Sequence, residues 1–224
     1  MARKERVSKG KVMRPNYFVL CEGETEVAYT EMLRQHYRLP IHIIAKKTLQ
    51  NITSALVERC RAVYVQTASD RTYLMYDLDV AEMLERLQKV SGAELLCSNP
   101  CFELWLLLHY QGVKASLTSA ECVKKLSLVA KQYKKGVLTD EMTKHLNANA
   151  STAIDRAETL QEYGNPSTTV YLLVKELERL KKEEDEKKQE FKSCFTLRLQ
   201  TGVTSSTSPM SGRVIAPSCS GVAE

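Results

Sequence analysis

The sequence predicts an α/β fold: a short, mainly parallel β-sheet flanked by helices, followed by a helical C-terminal half. Three observations predict it. In the first hundred residues, short strand-forming runs alternate with amphipathic segments, the pattern of parallel strands joined by crossover helices. Beyond Pro100 the pattern turns to helical spacing. The composition, 43% hydrophobic and 26% charged over 224 residues, allows one substantial core with extensions and excludes a mainly disordered or collagen-like chain.

Asn16-Tyr17-Phe18-Val19-Leu20-Cys21 is rich in strand formers and ends at Glu22-Gly23, so it reads as a buried first strand. From Thr25 to about Tyr37, Val27, Ala28, Met32 and Leu33 recur at helical spacing behind Glu24 and Glu26, acids favoured at a helix N-terminus. Ile41 to Ala45 is a second strand, and Asn51 to Gln66 a helix through Ile52, Leu56, Val57, Cys60 and Val63. Thr72 to Tyr76 is a third strand ending in Asp77-Leu78-Asp79; a helix at about Val80 to Lys89 and a fourth strand, Glu94 to Cys97, follow. Phe102 to Tyr110 is almost continuously apolar and too short to cross a membrane, so it reads as a buried helix starting at Pro100 or Cys101. Helices are then expected over about 118 to 134, 139 to 147, 150 to 163, and from Ser167 onward, where Val170, Leu173, Val174, Leu177 and Leu180 form one stripe. Its charged continuation, 181 to 188, has no apolar face and should meet solvent or a partner. Phe195 to Leu199 alternates like a stray strand, and 201 to 224, dominated by Ser, Thr, Gly and Pro, reads as a disordered tail. The expected organisation is a basic flexible arm (1–14), an α/β core (15–112), a helical region packed on it (113–192) and a largely disordered tail (193–224).

Residues 1–14 hold Arg3, Lys4, Arg6, Lys9, Lys11 and Arg14 against Glu5, a balance of +5 that equals the net charge of the chain. Such an arm suits phosphate backbones. Seven cysteines without a C-x-x-C pair point to buried thiols in a reducing compartment, and Cys97, Cys101 and His109 lack the second ligand pair of a zinc site. With no membrane span and no signal-peptide core, a cytoplasmic protein is expected.

The acids at strand ends carry the functional reading. In parallel α/β sheets, ligands sit beyond the carboxyl ends of the strands. Glu22 follows the first strand, and Asp77 and Asp79, two apart, close the third; if those strands are neighbours, Glu22 and Glu26 join the pair. Crowded carboxylates repel one another unless a cation neutralises them, which points to a hard divalent ion, Mg2+ or Mn2+, and to phosphoryl chemistry. Glu103, among apolar neighbours, is either a structurally paired buried acid or a further member of that site. Ser98 and Asn99 either orient phosphate or cap the next helix, with Asn165 and Ser167 capping the last one; His109 reads as a core histidine.

The sequence Glu22-Gly23-Glu24-Thr25-Glu26 followed by Asp77-Leu78-Asp79 is similar to the Toprim nuclease pattern. The block Ser98-Asn99-Pro100-Cys101-Phe102-Glu103-Leu104-Trp105 through His109, with Asn165-Pro166-Ser167-Thr168-Thr169-Val170, resembles the RloB family of Toprim-like bacterial proteins. The resemblance covers about residues 16 to 180. It implies a Toprim-like core with Glu22 as general acid/base or metal ligand, Asp77 and Asp79 as metal ligands, and Glu26 as a further ligand. It also implies a metal-dependent nuclease acting on RNA or DNA in bacterial phage defence or abortive infection, beside an ABC-type ATPase. The alternative it leaves open is a non-catalytic binding or regulatory subunit docked to that ATPase. Unlike many Toprim proteins, the chain has Val80-Ala81-Glu82 rather than a glycine after D-x-D.

Overall fold

The computed structural model describes residues 13–48, 52–80, 82–131 and 133–200, with side chains through residue 193. The chain divides into two units, Met1–Glu184 and Asp185–Glu224. The first holds strands β1 (Asn16–Cys21), β2 (His42–Lys47), β3 (Arg71–Asp77) and β4 (Glu94–Asn99), separated by helices α1 (Glu24–Tyr37), α2 (Ser54–Arg61) and α3 (Met83–Gln88). Helices α4 (Glu103–Leu108), α5 (Ser119–Val129), α6 (Asp140–Ala148) and α7 (Ala150–Glu158) follow, then a two-residue strand β5 (Ser167–Thr168) and the long helix α8 (Tyr171–Gln200).

The five strands form one sheet in the order β2-β1-β3-β4-β5. The first four are parallel and β5 is antiparallel to β4. All six residues of β1 are buried, as expected of a central parallel strand covered on both faces. Period-2 alternation divides its neighbours between two cores. Tyr17, Val19, Tyr73 and Met75 face the larger one with α1 and α4, while Leu20, Leu74 and Tyr76 face α2 and α3 through Val57, Cys60, Met83 and Leu87. Every residue of α4 is buried, Trp105 completely, which explains the unbroken apolar run there.

Several boundaries differ from expectation. α2 stops at Arg61 rather than Gln66, leaving Val63 and Val65 exposed, because Asp70 gathers the connection into β3. Asp70 accepts hydrogen bonds from the Asn16 amide (2.8 Å) and the Thr67 hydroxyl (2.6 Å). The expectation of a continuous helix from Ser167 is corrected by β5. The Thr169 amide donates to the Cys97 carbonyl (2.8 Å) and its hydroxyl accepts from the Cys97 amide (2.8 Å), so α8 begins only at Tyr171. Phe195 to Leu199 belongs to α8, not to a strand, and α7 ends at Glu158. Residues 201–224, expected as a disordered tail, lie outside the described residues, as do Arg3, Lys4, Arg6, Lys9 and Lys11. Cys21, Cys60, Cys97, Cys101 and Cys122 are free buried thiols, as read from the sequence. Among the described residues, no helix is long and apolar enough to cross a membrane.

Candidate metal centre

The connection β1-α1-β2 steps to one side of β1 and the return through α2 places β3 on its other side. Such a reversal opens a crevice beyond the carboxyl ends of the two strands, where α/β sheets bind ligands. Glu22 and Asp77 stand at those ends. Beyond β1, the Glu22 amide donates to the Met75 carbonyl (3.1 Å), and its carboxylate Oε2 accepts from the Asp77 amide (3.1 Å). Asp77 in turn accepts from the Phe102 amide through Oδ1 (2.8 Å), satisfying an orphan donor at the start of α4. That corrects the expectation that Ser98 or Asn99 caps this helix. Ser98 instead shares a hydrogen bond with the Thr168 hydroxyl (2.9 Å), and the Asn99 amide nitrogen donates to the Tyr163 carbonyl (3.2 Å). Asn165 and Ser167 likewise cap nothing: Asn165 clamps the Leu117 backbone at both its amide (3.1 Å) and carbonyl (2.9 Å).

Gly23 has an ordinary extended backbone, and its role is space. A Cβ there would stand 2.6 Å from Glu26 Oε2, so the absence of a side chain lets the Glu26 carboxylate lie over the loop. Glu26 is 3% exposed, and its Oε2 has no hydrogen-bond partner. Glu103, the first residue of α4, is 2% exposed and accepts a hydrogen bond from the Tyr133 hydroxyl (2.6 Å).

The sheet and two helices thus bring Glu22, Glu26, Asp77 and Glu103 into mutual electrostatic range. Burial, then the charges of Glu26, Glu103 and Glu22, push the Asp77 carboxyl up to about 9. Burial pushes Glu26 up to about 7, with Glu103 and Glu22 adding to the effect and Lys135 opposing it. Asp79 is exposed and lines, with Asp77 and Glu103, a cleft of about 480 Å3. The described root of the basic arm, exposed Arg14, precedes β1 and so lies beyond the opposite end of the sheet, about 20 Å along a six-residue strand.

Sequence reasoning missed the 133–137 turn, in which the Val137 amide donates to the Lys134 carbonyl (3.0 Å). The Gly136 amide donates to the Thr25 hydroxyl (2.9 Å), tying the turn to the start of α1. It brings Tyr133 and Lys135 to the carboxylates; the Glu103 charge, ahead of those of Asp77 and Glu26, raises the Lys135 pKa. The only signal in the sequence is the Lys-Lys-Gly turn, which names no partner.

The donor set fits a hard cation. Its ligand atoms are all carboxylate oxygens, one of them a buried oxygen with no partner. Among the described residues, no three His, Cys, Asp or Glu side chains form a ready-made cage. A hard ion such as Mg2+ would take one or two of these carboxylates directly and would reach the others through water.

No curated protein and no solved structure is significantly similar to the chain. A family model described as RloB-like protein matches residues 17–177, a span that runs from β1 into α8 and includes all four clustered carboxylates, the Ser98-to-His109 block and β5. The chain is therefore a member of the RloB-like protein family.

Proposed function

We propose that this protein is a metal-dependent nuclease, hydrolysing phosphodiesters in RNA or DNA. The observation that carries the reading is the buried, unpartnered Glu26 oxygen within a group of four carboxylates at the switch point of the sheet. Asp77 and Glu22 would hold Mg2+ or Mn2+ directly, with Asp79, Glu26 and Glu103 as outer partners. The bound ion supplies Lewis-acid polarisation of the phosphodiester and offsets the charge that develops on it.

The chain's own groups do the rest. The backbone amides of Asp77 and Phe102 fix the Glu22 and Asp77 carboxylates in place, so neither has to be ordered when substrate arrives. Without a cation, burial and the neighbouring acids push the Glu26 pKa up to about 7; a bound ion would offset that repulsion and leave the carboxylate charged, an acceptor for water on the ion. The resemblance to phage-defence proteins extends the proposal to a role in abortive infection beside an ABC-type ATPase, with the basic arm at 1–14 adding nucleic-acid affinity.

The test combines two measurements. Calorimetric titration of Mg2+ or Mn2+ into wild type should show binding that the Asp77→Ala/Asp79→Ala variant loses. Labelled RNA and DNA should be cleaved with Mg2+ but not with EDTA, by the protein alone or with its ATPase and ATP. Full cleavage by Asp77→Ala would overturn the mechanism. Binding to the ATPase with no cleavage of any nucleic acid would favour the docking subunit instead.

A further inference from the structure

We propose that Lys135, with Lys124 in the same cleft, forms a phosphate-binding patch alongside the carboxylates, so that a nucleic-acid phosphate is held by the lysines next to the acids. This deepens the nuclease reading and rests on it. The cleft of about 480 Å3 is lined by Asp77, Asp79 and Glu103 together with Lys124 and Lys135. Both ammonium groups are on exposed residues, and among the described residues neither closes an ion pair within 4.0 Å. Lys135 nevertheless feels Glu103, Asp77 and Glu26. It is a cation drawn to the site and not consumed by it.

The position of Lys135 is set from both sides. Two residues before it, Tyr133 is bonded to Glu103 on α4 (2.6 Å); one residue after it, the Gly136 amide is bonded to Thr25 on α1 (2.9 Å). Gly136 has a φ of 80°, which glycine adopts without strain, and it packs where a Cβ would lie 3.1 Å from that of Glu24. The turn therefore presents Lys135 from a fixed backbone, anchored to the two helices that carry Glu26 and Glu103. A phosphate approaching four carboxylates is repelled unless positive charge meets it. A lysine ammonium is an effective point-charge ligand for one phosphate oxygen while the divalent ion, as proposed above, takes another.

The experiment titrates thymidine 3′,5′-bisphosphate into the full chain, in Ca2+ and separately in EDTA, for wild type, Lys135→Met, Lys124→Met and Lys135→Arg. Loss of one charge-assisted hydrogen bond should weaken nucleotide binding about tenfold or more in Lys135→Met, with Lys135→Arg restoring most of it. Ca2+ affinity measured without nucleotide should be unchanged or tighter, since a nearby cation has been removed. The slope of log affinity against log salt should also fall by about one when a single-stranded oligonucleotide in EDTA replaces the bisphosphate. Nucleotide affinity of Lys135→Met within twofold of wild type, or no measurable nucleotide binding by wild type, overturns the proposal. Failure of wild type to take up any divalent ion would instead overturn the nuclease reading, and the lysine patch would still be judged by the affinity ratio in EDTA.

Discussion

Asp77→Asn should make the metal-free protein more stable while removing its response to Mg2+. Asp77 is mostly buried and crowded by Glu26, Glu103 and Glu22, which together with burial raise its pKa from 3.8 to about 9. At pH 7 the folded protein therefore holds a proton that the unfolded chain has released. A group whose folded pKa is raised contributes stability that is fully present below its unfolded value and lost as pH rises through the folded value. Across the interval from 3.8 to 7, which is 7 − 3.8 = 3.2 pH units, the loss at 1.36 kcal/mol per unit is about 4 kcal/mol. Relaxation of the neighbouring carboxylates and access of water lower this to about 2–4 kcal/mol. Asparagine escapes the loss and still offers an oxygen to the Phe102 amide. Urea unfolding in EDTA at pH 7 should show Asp77→Asn ahead by that amount, and the advantage should shrink to about 0.6 kcal/mol at pH 4, close to the unfolded value of 3.8. In Mg2+ at about a hundred times its dissociation constant, the wild type should regain about 2.7 kcal/mol that the variant does not. A variant no more stable than wild type at pH 7, or equally advantaged at pH 4, would refute the crowding argument.

Two further substitutions probe the architecture around that cluster. Gly23→Ala puts a Cβ 2.6 Å from Glu26 Oε2, so the carboxylate must leave its seat; Mg2+ affinity measured by calorimetry should fall about tenfold with far-ultraviolet circular dichroism unchanged, and an unaltered affinity would count against that seat. His109 lies 2% exposed with Nδ1 against the Trp105 carbonyl (2.9 Å), and burial, with His145 and Arg156 adding to it, pushes its pKa down to about 4. The neutral ring's contribution is present above 6.5 and lost as pH falls through about 4, about 3 kcal/mol in all; stability curves of His109→Gln should lack this acid limb, and parallel curves would disprove it.

The sheet was legible because its strands carry their own pattern. β1 is buried on both faces and flanked by a turn, and the same reading located β2, β3 and β4 within a few residues. β5 was not legible, since two residues, Ser167 and Thr168, become a strand only through pairing with Asn99 and Ser98, a tertiary event. The α2 boundary failed for a related reason: Val63 and Val65 continue an apolar pattern, yet Asp70 draws the backbone away before they can pack. Local periodicity records which side chains favour burial, and competing long-range hydrogen bonds decide where a helix stops.

The site divides along the same line. Glu22 and Asp77 could be read from the sequence because each stands at a strand end, and the strand order makes those ends neighbours. Tyr133 and Lys135 could not, since nothing local links a turn after α5 to acids on β3 and α4. The segment Glu22-Gly23-Glu24-Thr25-Glu26 shows how both kinds of information meet. Glu22 bonds the Asp77 amide, Gly23 leaves room for the Glu26 carboxylate, and Thr25 holds the turn that carries Lys135. Glu22 and Thr25 are thus bonded to two other parts of the chain, β3 and the 133–137 turn, while Gly23 makes room for Glu26 within the segment. Glu24 alone faces solvent, exposed and paired with Lys47 at 3.0 Å, a surface bridge worth about 1 kcal/mol or less. A helix start selected only for its dipole would need acids anywhere in the first turn and would specify neither the glycine nor the threonine; their fixed tasks here make the segment a structural part of the carboxylate cluster.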